Sequence, residues 1–148
     1  MRRPIALLAL CSLLTLGGVG CSTKPVSRED DTTQDLNHIA RVYGLMISVD
    51  HHPPRDEEEL RQSLLDFHKA DMNPHPDEIM VSSRDKQPYV IIYKANFGTA
   101  ASSEIVAYEK TGAEGKRYVL TMSRDVRQLS DQEFRQATFA NGHRPSAS

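Results

Sequence analysis

IVAYEKTGAEGKRYVLTMSRDVRQLSDQEFRQATF, residues 105–139, is the stretch on which the fold turns. From Arg117 to Met122 the side chains alternate, placing Tyr118, Leu120 and Met122 on one side of an extended chain and Arg117, Val119 and Thr121 on the other. The pattern predicts a half-buried strand whose Tyr118 side meets the core. Ile105 to Lys110 is β-branched and aromatic enough to be its antiparallel partner, and the TGAEGK between them supplies Gly112 and Gly115 for the positive φ angles of a hairpin loop. Ser123-Arg124-Asp125 interrupts the pattern as a tight turn. Val126 to Leu129 then predicts a third strand that leads directly into a helix.

The start of that helix is the most specific local signal in the chain. Ser130 and Glu133 form an S-x-x-E capping box, and Leu129 and Phe134 occupy the positions of a hydrophobic staple. Asn141-Gly142, with Pro145 beyond, predicts where the helix stops. His143 to Ser148 is expected to be a disordered tail.

Toward the N-terminus, Tyr89 to Lys94 after Pro88 is a dense β-forming run and predicts the first main strand. Ile79 to Val81 predicts a short edge strand. Asn73-Pro74-His75-Pro76 closes a preceding helix that begins with Asp56 as N-cap, has Glu57 to Glu59 in its first turn and His68 and Lys69 in its last, and lines one face with Leu60, Leu64 and Phe67. Before the His51-His52-Pro53-Pro54 break, Leu36, Ile39, Tyr43, Met46 and Ile47 recur at helical spacing, with Val42 and Val49 widening the stripe. They predict a helix from Asp35 to Asp50 with Thr33 as N-cap. The expected fold class is α+β: an N-terminal helix packed on a small antiparallel sheet, a short second helix, and a capped C-terminal helix, all within residues 35–142.

The first 20 residues have a different character. Arg2 and Arg3 precede an apolar run from Ile5 to Leu16, and small residues lead to Cys21, the layout of an export signal. The apolar run is short for a bilayer span and a polar stretch follows at once, which disfavours a retained transmembrane helix. Residues 22–34 are polar and aperiodic and read as a tether, with a random-coil reach on the order of 20 Å.

Leu16-Gly17-Gly18-Val19-Gly20-Cys21 resembles the lipobox of bacterial lipoproteins, with Gly18 where that family usually has Leu. The resemblance implies cleavage before Cys21, acylation of its sulfur, and a domain anchored to the cell membrane or outer membrane and facing the periplasm. Ser22 would permit sorting to an outer membrane. An ordinary cleaved secretory signal is the alternative. Processing removes Arg2 and Arg3, two of 18 basic residues and none of the 20 acidic ones, taking the formal charge from −2 to −4. Nucleic acid is therefore not an expected partner. Processing also removes Cys11 and commits Cys21 to the lipid, so no disulfide is expected, although the compartment is oxidising.

The order DLNHIARVYGLMISVDHHPP, DEEELRQSL, YVIIYK, VAYEK, RYVLTM and LSDQEF, spanning Asp35 to about Phe139, resembles the globular part of type II secretion pseudopilins and type IV pilins. The resemblance implies a pilin-like α+β fold. A group of pseudopilin-like proteins carries an Asp-Gly-His turn where this chain has Ser123-Arg124-Asp125, and pseudopilins keep a long hydrophobic N-terminal helix in whose place a lipoprotein signal and tether are expected here. Filament incorporation without that stem is not expected.

Candidate sites are sparse. His51 and His52 beside an acidic run suggest metal, yet adjacent residues in one turn rarely converge on an ion, and His68 and His75 belong to no cluster with ligand spacing. By the pseudopilin resemblance, Glu114, Asp125 or Asp131 would be asked to bind calcium, but they fall in separate elements. No nucleophile elbow, phosphate loop or Cys–His pair is present. The acidic run Asp56 to Glu59 reads as a dipole-favoured helix start, with a docking patch for a basic partner as the alternative. Tyr89, Tyr93, Tyr108 and Tyr118 read as core and sheet-edge residues, with an exposed binding surface as the alternative. The expectation is no catalytic, cofactor or metal residue, lipidation at Cys21, and a non-enzymatic module that meets the membrane through its acyl group and engages an envelope protein. The alternatives are an accessory subunit of a secretion or pilus system, and an envelope protein that binds a ligand or metal through the His51 to Glu59 turn or the acidic loops.

Overall fold

The computed structural model describes residues 28–70, 74–97 and 102–146. Helix α1 spans Arg28–Val49, α2 Glu57–Lys69 and α3 Pro76–Ile79; strands β1 (Val90–Ile91), β2 (Ile105–Tyr108), β3 (Lys116–Thr121) and β4 (Val126–Ser130) follow, then α4 (Asp131–Gln136) and a single 3-10 turn at Ala140–Gly142. The strands form an antiparallel sheet in the order β1-β2-β3-β4. This is the expected α+β class: a long first helix lies against a small meander, with a short second helix and a capped helix at the end.

α1 packs because its buried stripe is continuous. Leu36, Ile39, Tyr43 and Met46 are at most 4% exposed, as their spacing of three and four requires. The helix begins earlier than Asp35, so Arg28 to Gln34 are helical rather than tether, and Thr33 lies inside the helix rather than capping it. Thr32 is fully buried and its hydroxyl lies 3.3 Å from that of Ser83. The added turn is thus secured by a tertiary contact, which hydrophobic periodicity does not register.

α2 forms where its signals place it, with Asp56 accepting the Glu59 amide at 3.0 Å and Leu60 and Leu64 buried. The Asn73 to Pro76 run does not simply open a loop: Pro76 takes the first position of α3, where its missing N–H and preset φ are favourable, and His75 caps it. Ile79 therefore ends a helix, and of the expected edge strand only Val81 keeps an isolated bridge to Pro88.

The run from Tyr89 to Lys94 shortens to two paired residues. Tyr43 explains why: its buried hydroxyl donates to the Ile92 carbonyl at 3.0 Å and accepts from the Ala95 amide at 2.9 Å. Lys94 then turns at φ +62°, and its amide donates to the carbonyl of Pro54. The backbone is satisfied by a helix side chain and a loop, and needs no further strand partner.

In the hairpin, Gly112 and Gly115 take φ values of +71° and +70°. A Cβ on Gly112 would collide with the Lys116 carbonyl oxygen. β3 corrects the expectation of one buried face: Val119 and Thr121 are 1% and 2% exposed, and Leu120 is fully buried. Ala107, Leu120 and Val126 occupy one face by register, against which α1 packs, whereas Tyr108 and Val119 occupy the other. The chain after β4 returns over this second face, and Ile105 donates its amide to Thr138 beside the Ile105–Phe139 bridge.

Candidate interaction site

The second sheet face is roofed by α4 and the segment after it. Both capping-box bonds form, the Ser130 amide donating to Glu133 at 2.8 Å and the Glu133 amide to the Ser130 hydroxyl at 3.3 Å. The Ser130 hydroxyl, donating to the Glu133 carboxylate at 2.7 Å, and after it the Ser130 amide hold that carboxyl below its usual range. The helix stops at Gln136 rather than near Asn141, because Ala137 turns to extended geometry. Asn141 and Gly142, with φ of +54° and +66°, shape the 3-10 turn instead.

This early stop delivers Phe139 and His143 to the sheet. Tyr108 becomes the hub of an aromatic cluster, with ring centroids 5.0 Å from Phe134, 5.7 Å from Phe139 and 6.0 Å from His143. Its hydroxyl shares a 3.0 Å hydrogen bond with His143 Nε2. Burial raises the Tyr108 pKa against an opposing pull from Arg117, so the phenol stays protonated. His143 is anchored, and the expected disordered tail does not begin there.

Arg117 binds this cluster to the hairpin. Its guanidinium lies 4.7 Å from the Phe134 ring centroid, donates to Asp131 at 3.4 Å, and donates to the Lys110 carbonyl at 2.5 Å. Two cavities of about 360 Å³ each share Arg117, Pro145 and Ser146 in their linings. One extends past Phe134 and Phe139 to Arg135, and the other past Tyr108 to Lys110. Lys110, Arg117 and Arg135 face a single lining acid, Asp131, which makes the cleft cationic within an acidic chain.

Behind the sheet, a buried polar network supports the hairpin. Glu109 is fully buried and accepts from Ser82 at 2.7 Å, Arg84 at 2.8 Å and the Tyr118 amide at 2.8 Å. Arg84 also reaches the Ala113 carbonyl at 3.1 Å. Burial acts to raise the pKa of Asp85, but hydrogen bonds from the amides of Thr111, Gly112 and Gln87 and from the Thr111 hydroxyl outweigh it and lower it. On α1, Asp35 accepts from the Tyr89 hydroxyl at 3.3 Å; burial, helped by Asp31 and Glu78, pushes its pKa up to about 7.

Cys21 and residues 22–27 of the tether lie outside the described residues. His51 is exposed at φ +61°, while His52 lies 3.0 Å from the Pro53 carbonyl and 3.9 Å from Glu59, so the two do not converge. The rings of His68 and His75 do meet, with centroids 5.2 Å apart. Glu114 sits in the hairpin loop, Asp125 pairs with Arg127 and Asp131 with Arg117, three separate places. No group of three residues suited to hold a metal occurs among the described residues, and none of their helices is long and apolar enough to cross a membrane.

The expectations missed Arg84, Glu109 and the joint placement of Arg117, Phe139 and His143. Glu109 did leave a signal, a carboxylate inside the apolar IVAYEK strand. Comparison with known protein families, curated proteins and solved structures finds no match for this chain.

Proposed function

We propose that this protein is a lipid-anchored envelope lipoprotein whose α+β domain serves as a non-enzymatic interaction module. The observation that carries the interaction reading is the contrast between the sheet faces: α1 packs on one, while the other bears a short helix, a chain segment and a cationic aromatic cleft. Aromatic and arginine side chains are the residues that most often anchor partners. With acylation at Cys21, six residues, 22–27, separate the lipid from the first turn of α1. Even fully extended they reach only about 20 Å, which keeps the domain at the membrane surface.

A second reading, an accessory subunit of a secretion or pilus machine, is favoured by the order of a long helix followed by an antiparallel meander. In vivo crosslinking with mass spectrometry of captured partners separates the two. Secretin or pseudopilin components support the second, and other envelope proteins the first. Intact-mass analysis of the purified protein tests the anchor: an acylated N-terminal Cys21 is expected, and an unmodified chain overturns it.

A further inference from the structure

The cleft's charge and lining specify a class of ligand. The side chains of Lys110 and Arg135 are exposed at its two ends and have no hydrogen-bond or ion-pair partner among the described residues, whereas that of Arg117 between them is already engaged by Asp131 and the Lys110 carbonyl. Two uncommitted cations therefore flank a cleft backed by Phe134 and Phe139, which are only 5% and 8% exposed. Such a surface attracts carboxylates at its ends.

We propose that this cleft binds an acidic peptide segment of a partner protein, with carboxylates against Lys110 and Arg135. The inference rests on the interaction-module reading and names the partner's chemistry. A segment with two carboxylates suits the site because the cavity beside Lys110 and the cavity beside Arg135 share Arg117, Pro145 and Ser146 in their linings. Attraction between exposed charges weakens as salt shortens the screening length, so binding is expected to fall with ionic strength.

The test uses the full chain purified in detergent and a fluorescein-labelled peptide of sequence DEEEL, with NQQQL as the neutral control, read by fluorescence anisotropy. The expected result is saturable binding of the acidic peptide, at least tenfold weaker for the neutral one and at least tenfold weaker for the Lys110→Glu, Arg135→Glu double variant. Both substituted residues are exposed, so the fold is retained. Lys86→Glu, an exposed site in the turn before Pro88, is expected to leave binding unchanged. Absence of saturable binding overturns the proposal, as does equal weakening by Lys86→Glu. Crosslinking of the double variant keeps the two readings apart. Partners captured by the native chain and lost from the variant support the cleft; partners captured equally by both sink the cleft but leave the interaction module; no partner from either sinks the module itself.

Discussion

Arg84 Nη1 lies 2.8 Å from Glu109 Oε2 in an ion pair almost closed to solvent, the two side chains being 6% and 0% exposed. The pair ties the turn after α3 to the end of β2, and through the Ala113 carbonyl to the hairpin loop beside Lys110 and Arg117. The Arg84 guanidinium also lies 4.8 Å from the Tyr118 ring centroid. Breaking one partner strands a buried charge, which is far more costly than losing a surface pair. Arg84→Met is expected to destabilise the domain by roughly 3–5 kcal/mol in urea unfolding. Arg84→Met with Glu109→Leu should cost less than the two single changes combined; strict additivity would count against coupling.

Tyr43 carries a second prediction. Its hydroxyl is the buried partner of both the Ile92 carbonyl and the Ala95 amide. Tyr43→Phe keeps the packing against Phe97, whose ring centroid is 4.5 Å away, but leaves two backbone groups unsatisfied. A loss of about 1–3 kcal/mol is expected. Hydrogen exchange at Ala95 should accelerate with it, and unchanged exchange would show that another group serves that amide.

Asp35 sets a pH dependence of unusual sign for a carboxylate. Its folded pKa of about 7 lies above the ordinary aspartate value of 3.8, so the folded state holds the proton more tightly than the unfolded chain. Its stabilising contribution is full below about pH 3.8 and is lost as pH rises through about 7. Asp35→Asn, which mimics the protonated side chain, should match the native protein's melting temperature near pH 4 and exceed it near pH 8. Equal melting temperatures at both ends of that range would refute the assignment. Asp85 has the opposite sign: its lowered pKa gives stability that is present above the ordinary carboxylate range and lost as pH falls through its folded value.

Gly112 tests the hairpin. At φ +71°, with the Lys116 carbonyl oxygen occupying the place of a Cβ, alanine must distort the loop. Gly112→Ala is expected to cost roughly 1–3 kcal/mol. Gly142→Ala serves as the comparison: it shares the positive φ but meets no atom within 4 Å, and it should cost less in the same thermal melts.

Local codes carried much of this fold. Ser130 and Glu133 needed only each other to start α4, Asp56 only the amide of Glu59, and the stripe from Leu36 to Met46 only a helical repeat to declare its buried side. The glycines of the hairpin likewise declared positive φ without reference to anything distant. Each of these signals is complete within one or two turns of chain, so the linear order of residues specifies it.

What the order of residues left open was decided by partners far away in the chain. Tyr43, about 50 residues upstream, claims the Ile92 carbonyl that β-propensity had assigned to a strand, and Thr32 meets Ser83 to keep an extra turn of α1. Arg84 neutralises Glu109 across 25 positions, and the early end of α4 brings Phe139 and His143 onto Tyr108. Periodicity measures how side chains partition between water and a core. It cannot say which buried carbonyl, carboxylate or ring will be the partner, because that choice is made only when the layers close on one another.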